Sequence, residues 1–243
     1  MIKIETHAHS IGSSWCAKTD NDALLSRYIE YGYDVVVITN HLHKVDFYRY
    51  NGETDKEKLD TYFSIIDQIK KDGKKKGILV LEGAEIDCII PNGIVEFTVY
   101  GLPRRVFYEH NPLFNLTQKE LFELAEKHGA FMYQTHPYRN GVLERGNAKY
   151  LHGAESFNGH FHHENNNHLA KAFCLENGLI KLSGTDFHAP DQIPTGGILT
   201  DRKLENEIDL VSLCFSNDFT LFEDHETYRR TRAEYLREIE KCK

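Results

Sequence analysis

No run of this sequence approaches ~20 consecutive apolar residues, so no membrane-spanning helix is expected. The N-terminus lacks a basic region followed by an apolar run and a small-residue cleavage site. No signal peptide is therefore read, and the cytoplasm is the expected compartment. Cysteine is sparse and unpatterned. Cys16, Cys88, Cys174, Cys214 and Cys242 are odd in number and contain no CxxC pair, which argues against a disulfide framework. No linker rich in proline, glycine or serine divides the chain, and no internal repeat or low-complexity segment is visible. A single domain over residues 1–243 is the expected organisation. Basic charge is also in deficit: 29 Lys and Arg face 37 Asp and Glu, a formal net charge of -8. Duplex binding needs Lys and Arg in quantity, so no duplex nucleic acid is expected as a partner. A metal or a few arginines can still hold one phosphate, and a small phosphorylated substrate is the expected partner. The oligomeric state is not legible.

What the chain does have is histidine, 14 residues of it. Residues 2–6 read as a strand, and residues 34–39, apolar and β-branched, as a strand buried on both faces of a parallel sheet. A helix is expected over residues 21–30 with Gly32 as its stop. A second, from residue 56, presents Leu59, Tyr62, Phe63, Ile66 and Ile69 on one face. Thr117 and Glu120 fit a capping box that opens a helix to His128. Further strands are expected over residues 77–90, 97–102, 130–135, 153–159 and 180–190, with a helix over 165–176. The last fifty residues are weaker: short strands at 198–200 and 219–222, a helix at 205–213, and a charged helical tail at 225–243 on the surface. Strands alternating with helices imply right-handed βαβ units, an α/β fold, and about seven units favour a closed barrel.

The ligand-type residues fall at the ends of these strands. His7 and His9 follow the first, and His41 and His43 the second. Glu85 lies on the third, with Glu82 an odd step away and so on the opposite face. His136, then Glu155 with Asn158, then Asp186 with His188, follow later strands. In a parallel barrel all those ends converge on one mouth. Imidazole with carboxylate suits Zn, Mn or Fe better than Ca or Mg. The set exceeds what one tetrahedral ion needs, so two or three divalent ions are expected, with a carboxylate such as Glu85 bridging. Clustered cations lower the pKa of bound water to give hydroxide near neutral pH, and they stabilise charge on a leaving oxygen. That chemistry is hydrolysis, with phosphate esters its natural target.

The segments "THAHS", "VITNHLH", "LEGAEID", "YQTHPYR", "ESFNG" and "SGTDFHAP", in this order, resemble the polymerase and histidinol phosphatase (PHP) domain family over about the first two hundred residues. The resemblance implies a distorted (β/α)7 TIM-like barrel with a two- or three-metal site. Carried over by position, it implies that His7, His9, Glu85 and Asp186 hold one ion. Glu85 would bridge to a second ion with His136, and His41 and His188 would hold a third. Asp186, His188, His43 and His163 are then catalytic candidates, the last two as substrate contacts or proton donors. Arg139 and His163 are candidates for substrate binding. His160 and His162 stand at the same mouth, and Glu155 reads as an acid supporting the ligands. Trp15 either lines the pocket or packs. Three positions depart from the family pattern. Asn40 stands where an Asp is usual, Thr98 where many members have a His, and Cys16 where a further ligand often lies. The implied function is a metal-dependent phosphoesterase acting on a small phosphorylated metabolite or nucleotide. The alternatives are an amide or lactone metallohydrolase, or a metal-binding domain that has lost catalysis.

Overall fold

The computed structural model describes residues 1–142 and 144–241, so Cys242 and the end of the expected tail lie outside the described residues. In chain order the elements begin with β1 (Ile2–Ala8), α1 (Asn21–Glu30), β2 (Val35–Ile38), β3 (His41–Leu42), α2 (Lys44–Phe47) and α3 (Asp55–Lys76). Next come β4 (Leu79–Ile90), β5 (Gly93–Tyr100), α4 (Arg104–Glu109), α5 (Gln118–His128), β6 (Phe131–Gln134) and β7 (Gly153–Asn158). The last are α6 (Asn167–Asn177), β8 (Ile180–Gly184), β9 (Gly196–Thr200), α7 (Glu207–Ser216), β10 (Thr220–Glu223) and α8 (His225–Lys241).

Local chemistry sets the helix ends. The Asp20 carboxylate accepts the Ala23 N–H at 2.9 Å and opens α1. Capping boxes of Thr54 with Glu57 and Thr117 with Glu120 open α3 and α5. Gly77 and Gly129, both left-handed, close them.

The strands form one sheet in the order β10-β9-β1-β2-β4-β5-β6-β7-β8, with β3 beside β4. β1, β2 and β4 are parallel, as are β6, β7 and β8. β5 runs antiparallel to both β4 and β6. The turn at Pro91 and Asn92 is too short for a helical crossover, so β4 can only return as a hairpin. That hairpin distorts an otherwise α/β barrel. The seam between β8 and β9 is closed by hydroxyls: Ser183 Oγ donates to Phe222 O at 2.6 Å and receives Gly197 N–H at 3.1 Å.

Leu210, Leu213 and Cys214 of α7 pack with Ile4, Val35, Leu81, Phe131 and Leu182, near the starts of their strands. That apolar plug fills one end of the barrel and leaves the C-terminal strand ends for polar residues. A second cluster fills the space between the outer sheet face and α3 to α6. The tail does more than lie on the surface. In α8, Tyr228 is buried with Phe157 and Phe161, and Arg232 Nε donates to Glu164 at 3.0 Å. Among the described residues no helix is long and apolar enough to cross a membrane.

Candidate metal centre

His7 ends its strand facing inward, and His9 follows two residues on, so both rings share one side. Their Nε2 atoms are 3.0 Å apart. His7 Nδ1 lies 3.0 Å from Glu155 Oε1 on β7, a contact that fits a proton on Nδ1 and a lone pair on Nε2. That Nε2 lies 3.5 Å from Glu85 Oε1 and 3.4 Å from Asp186 Oδ1. His9 Nε2 lies 3.5 Å from Glu85 Oε2 and 3.2 Å from Asp186 Oδ1. His41 Nε2 reaches Glu85 Oε2 at 3.2 Å, and His136 Nε2 reaches Glu85 Oε1 at 3.1 Å. Both oxygens of Glu85 therefore face two imidazoles each. The His188 ring stacks on His9 with centroids 4.0 Å apart, and its Nδ1 lies 3.2 Å from Asp186 Oδ1. Ligand atoms of His7, His9 and Glu85, of His7, His136 and Asp186, and of His9, His41 and His188 form groups within 4.8 Å of one another.

Two of these residues hold unusual backbone. His136 has φ 29° and Asp186 φ 57°, left-handed values that cost a side chain of this size roughly 1–3 kcal/mol each. Surrounding groups hold them there. His136 N donates to Glu155 Oε2 at 2.9 Å, and Asp186 N donates to His7 O at 2.8 Å.

The donor set fits divalent cations. Asp186 Oδ1 and His188 Nε2 are buried without a hydrogen bond, as are His9 Nδ1 and His136 Nδ1. Facing nitrogens and converging carboxylates cannot all be satisfied by protons. Burial alone would discharge every group, but the carboxylates of Asp186, Glu155 and Glu85 outweigh it at His7 and raise its pKa. Burial is likewise outweighed at His41 by Asp46 and Glu85, and at His188, which Asp186 lifts to about 9. His9 goes the other way, lowered by burial and by its neighbours His188 and His41. Glu85 and Asp186 are buried, yet His7 beside the first, and Arg139 and His7 beside the second, hold both well below the usual carboxylate range. The acids thus draw positive charge to this point.

The other candidates surround this cluster. The Arg139 guanidinium touches Asp186 Oδ2 and donates to Asn158 Oδ1 at 3.0 Å and Asn165 Oδ1 at 2.9 Å, so it is committed to the cluster. His43 stacks on His41 with centroids 4.0 Å apart, and burial followed by the His41 charge pushes it down to about 4. His163 is exposed at the rim, 4.7 Å from the His160 ring, and is also lowered to about 4, by burial and then by Arg139. Both shifts favour the neutral ring, which disfavours the proton-donor role and leaves the role of substrate contact. His160 is the histidine of that loop that joins Asp186 and His188 in a ligand-sized group. Cys16 lies against His188. Trp15 is 69 % exposed beside a small cavity with Asp46 and Tyr50. Thr98 faces Glu85 across the β4–β5 ladder.

Sequence reasoning missed Asp46, whose Oδ2 lies 3.1 Å from His41 Nδ1, and Glu96, whose Oε2 lies 3.3 Å from His136 Nε2. Glu96 stands two residues before Thr98 on one strand, and that even step was the available signal. A cavity of about 290 Å³ lined by Asp87, Glu96, Thr135, His136 and Glu144 opens onto the cluster. A wider one, about 670 Å³ beside Ile89, Lys119 and Tyr150, has none of the candidate ligands in its lining.

No protein-family model and no curated protein sequence matches the chain. Solved structures do match. A two-domain protein from Bacteroides vulgatus containing a predicted PHP-like metal-dependent phosphoesterase superposes with a TM-score of 0.67 at 20% identity, covering 96% of this chain and 69% of that one. The fold is that of the PHP-like metal-dependent phosphoesterases. PsfC from Pseudomonas syringae shares this fold with a TM-score of 0.69 at 13% identity, covering 98% of both chains. Endonuclease Q, solved with a 27-mer duplex carrying an abasic lesion at its active site, shares it with a TM-score of 0.57 at 11% identity, over 88% of this chain and 56% of that one. This last structure corrects the expectation of a small phosphorylated substrate and no duplex nucleic acid. A PHP-like fold does hold a duplex at its active site. Net charge is a sum over the whole surface and does not fix the field that a phosphate meets at one site.

Proposed function

We propose that the chain is a metal-dependent phosphoesterase, with the phosphodiesters of nucleic acid as its substrate class. The reading is carried by Glu85, whose two oxygens lie within 3.5 Å of His7, His9, His41 and His136. His7, His9, His41, Glu85, His136, Asp186 and His188 would hold the ions. Bound divalent ions would supply Lewis acidity toward a phosphoryl oxygen and activate water at neutral pH. The chain's own residues do the rest. Arg139, with Asn158, orients Asp186. His43 and His163, beside His41 and His160, are candidate substrate contacts. The apolar plug below excludes bulk water and so strengthens every charge interaction in the cluster. The Endonuclease Q likeness supports the nucleic-acid assignment.

The test is hydrolysis of a chromogenic phosphodiester, a single strand and an abasic duplex, with Mn or Zn added and with chelator. Asp186→Ala is expected to abolish turnover while circular dichroism stays unchanged. Full activity in that variant would overturn the assignment. Hydrolysis of lactones or amides alone would transfer the site to the second enzyme class, and ion binding without any turnover would leave a domain that has lost catalysis.

A further inference from the structure

The strand β5 turns Glu96, Thr98 and Tyr100 toward the barrel interior, while Phe97 and Val99 join the outer core. Thr98 lies level with Glu85, but its hydroxyl is short. Glu96 stands one inward-facing step nearer the mouth, about 7 Å along the strand, and its longer side chain reaches back. Its Oε2 comes within 3.3 Å of His136 Nε2, which lies 3.1 Å from Glu85 Oε1. Its backbone is held as well, because Thr135 Oγ1 donates to Glu96 O at 3.1 Å. The geometry points to Glu96 as a metal ligand that completes, with Glu85 and His136, an oxygen-rich second ion site opening onto the 290 Å³ cavity.

Two independent observations lie behind this. His136 Nε2 lies within 3.3 Å of an oxygen of each carboxylate, so an ion near it meets donors from β4, from β5 and from the segment after β6. The cavity is lined by Glu96 and His136 together, so that ion would face incoming substrate. Two carboxylates and one imidazole suit Mn or Mg better than a set richer in imidazole does. Glu96 is 33% exposed, so the site faces solvent on that side.

The inference rests on the metal-centre reading above, and its test reads ions rather than turnover. Wild type, Glu96→Ala and Glu96→His are dialysed against Mn or Zn, and bound metal per chain is counted by mass spectrometry. Glu96→Ala is expected to hold one equivalent fewer of Mn, with an unchanged circular dichroism spectrum. Glu96→His is expected to recover that equivalent with its preference moved toward Zn, which an acid acting only by its charge would not produce. Equal stoichiometry in wild type and Glu96→Ala would overturn the role of Glu96 alone. A wild type that binds no divalent ion would overturn the metal centre and this site with it.

Discussion

Glu155 takes hydrogen bonds from three directions. Its Oε1 faces His7 Nδ1 at 3.0 Å, while its Oε2 accepts from His136 N at 2.9 Å and Asn158 Nδ2 at 2.8 Å. It fixes which nitrogen of His7 is free and holds the left-handed turn at His136. Acids that orient metal-binding imidazoles matter to affinity roughly ten- to hundredfold. Glu155→Ala is therefore expected to weaken Zn or Mn binding by about that factor in a calorimetric titration, with the ion count per chain preserved at saturating metal. An unchanged affinity would remove it from the centre. At this scale the sequence disclosed what sits at strand ends. His7, His9, His136, Asp186 and His188 stand where a strand gives way to a loop, His41 opens the short β3, and Glu85 lies within β4. Glu96 carried a signal in its even step to Thr98, but its reach to His136 depends on hairpin register and side-chain length, and Asp46 meets His41 only through the turn into α2.

The barrel seam shows how an element can be decided by the absence of a side chain. A Cβ on Gly196 would lie 2.2 Å from Gly184 O, and one on Gly184 would lie 2.6 Å from the His7 Cβ. Backbone cannot yield that far, so Gly196→Ala must part β8 from β9 and, through Gly184, disturb His7. Overpacking of this kind costs roughly 1–3 kcal/mol or more. The variant is expected to lower the urea midpoint with the slope unchanged, and a midpoint equal to that of wild type would refute the closure described. The opening of α5 was readable from the Thr117 and Glu120 capping box, since that interaction is local, whereas the Thr54 and Glu57 box that opens α3 was not read. The reversal of β5 was not read, although the short turn at Pro91 and Asn92 carries it. Nor was the docking of α8, whose Tyr228 is one aromatic in a charged helix and finds Phe157 only in three dimensions.

Across the whole molecule, the charge cluster couples ion binding to pH and to stability. Without ions, the raised His188 stabilises the fold below its ordinary 6.5, and that stability is lost as pH climbs through about 9. A rise of this size corresponds to roughly 3 kcal/mol. Glu85 and Asp186 have depressed values, so their contribution persists upward and is lost only in acid. Ion uptake has the opposite trend to His188, because imidazole must be deprotonated to bind and affinity therefore rises with pH. At a free ion concentration about a hundredfold above Kd, binding stabilises the fold by about 2.7 kcal/mol. For a domain of this length that is a Tm increase of roughly 5–10 °C. The Tm gap between ion-loaded and chelator-treated protein is therefore expected to widen between about pH 6 and about pH 9, measured by scanning calorimetry at fixed free metal. A gap that stays level over that range would mean that the ions bind away from these histidines, and the buried cluster would then be a proton-linked structural network.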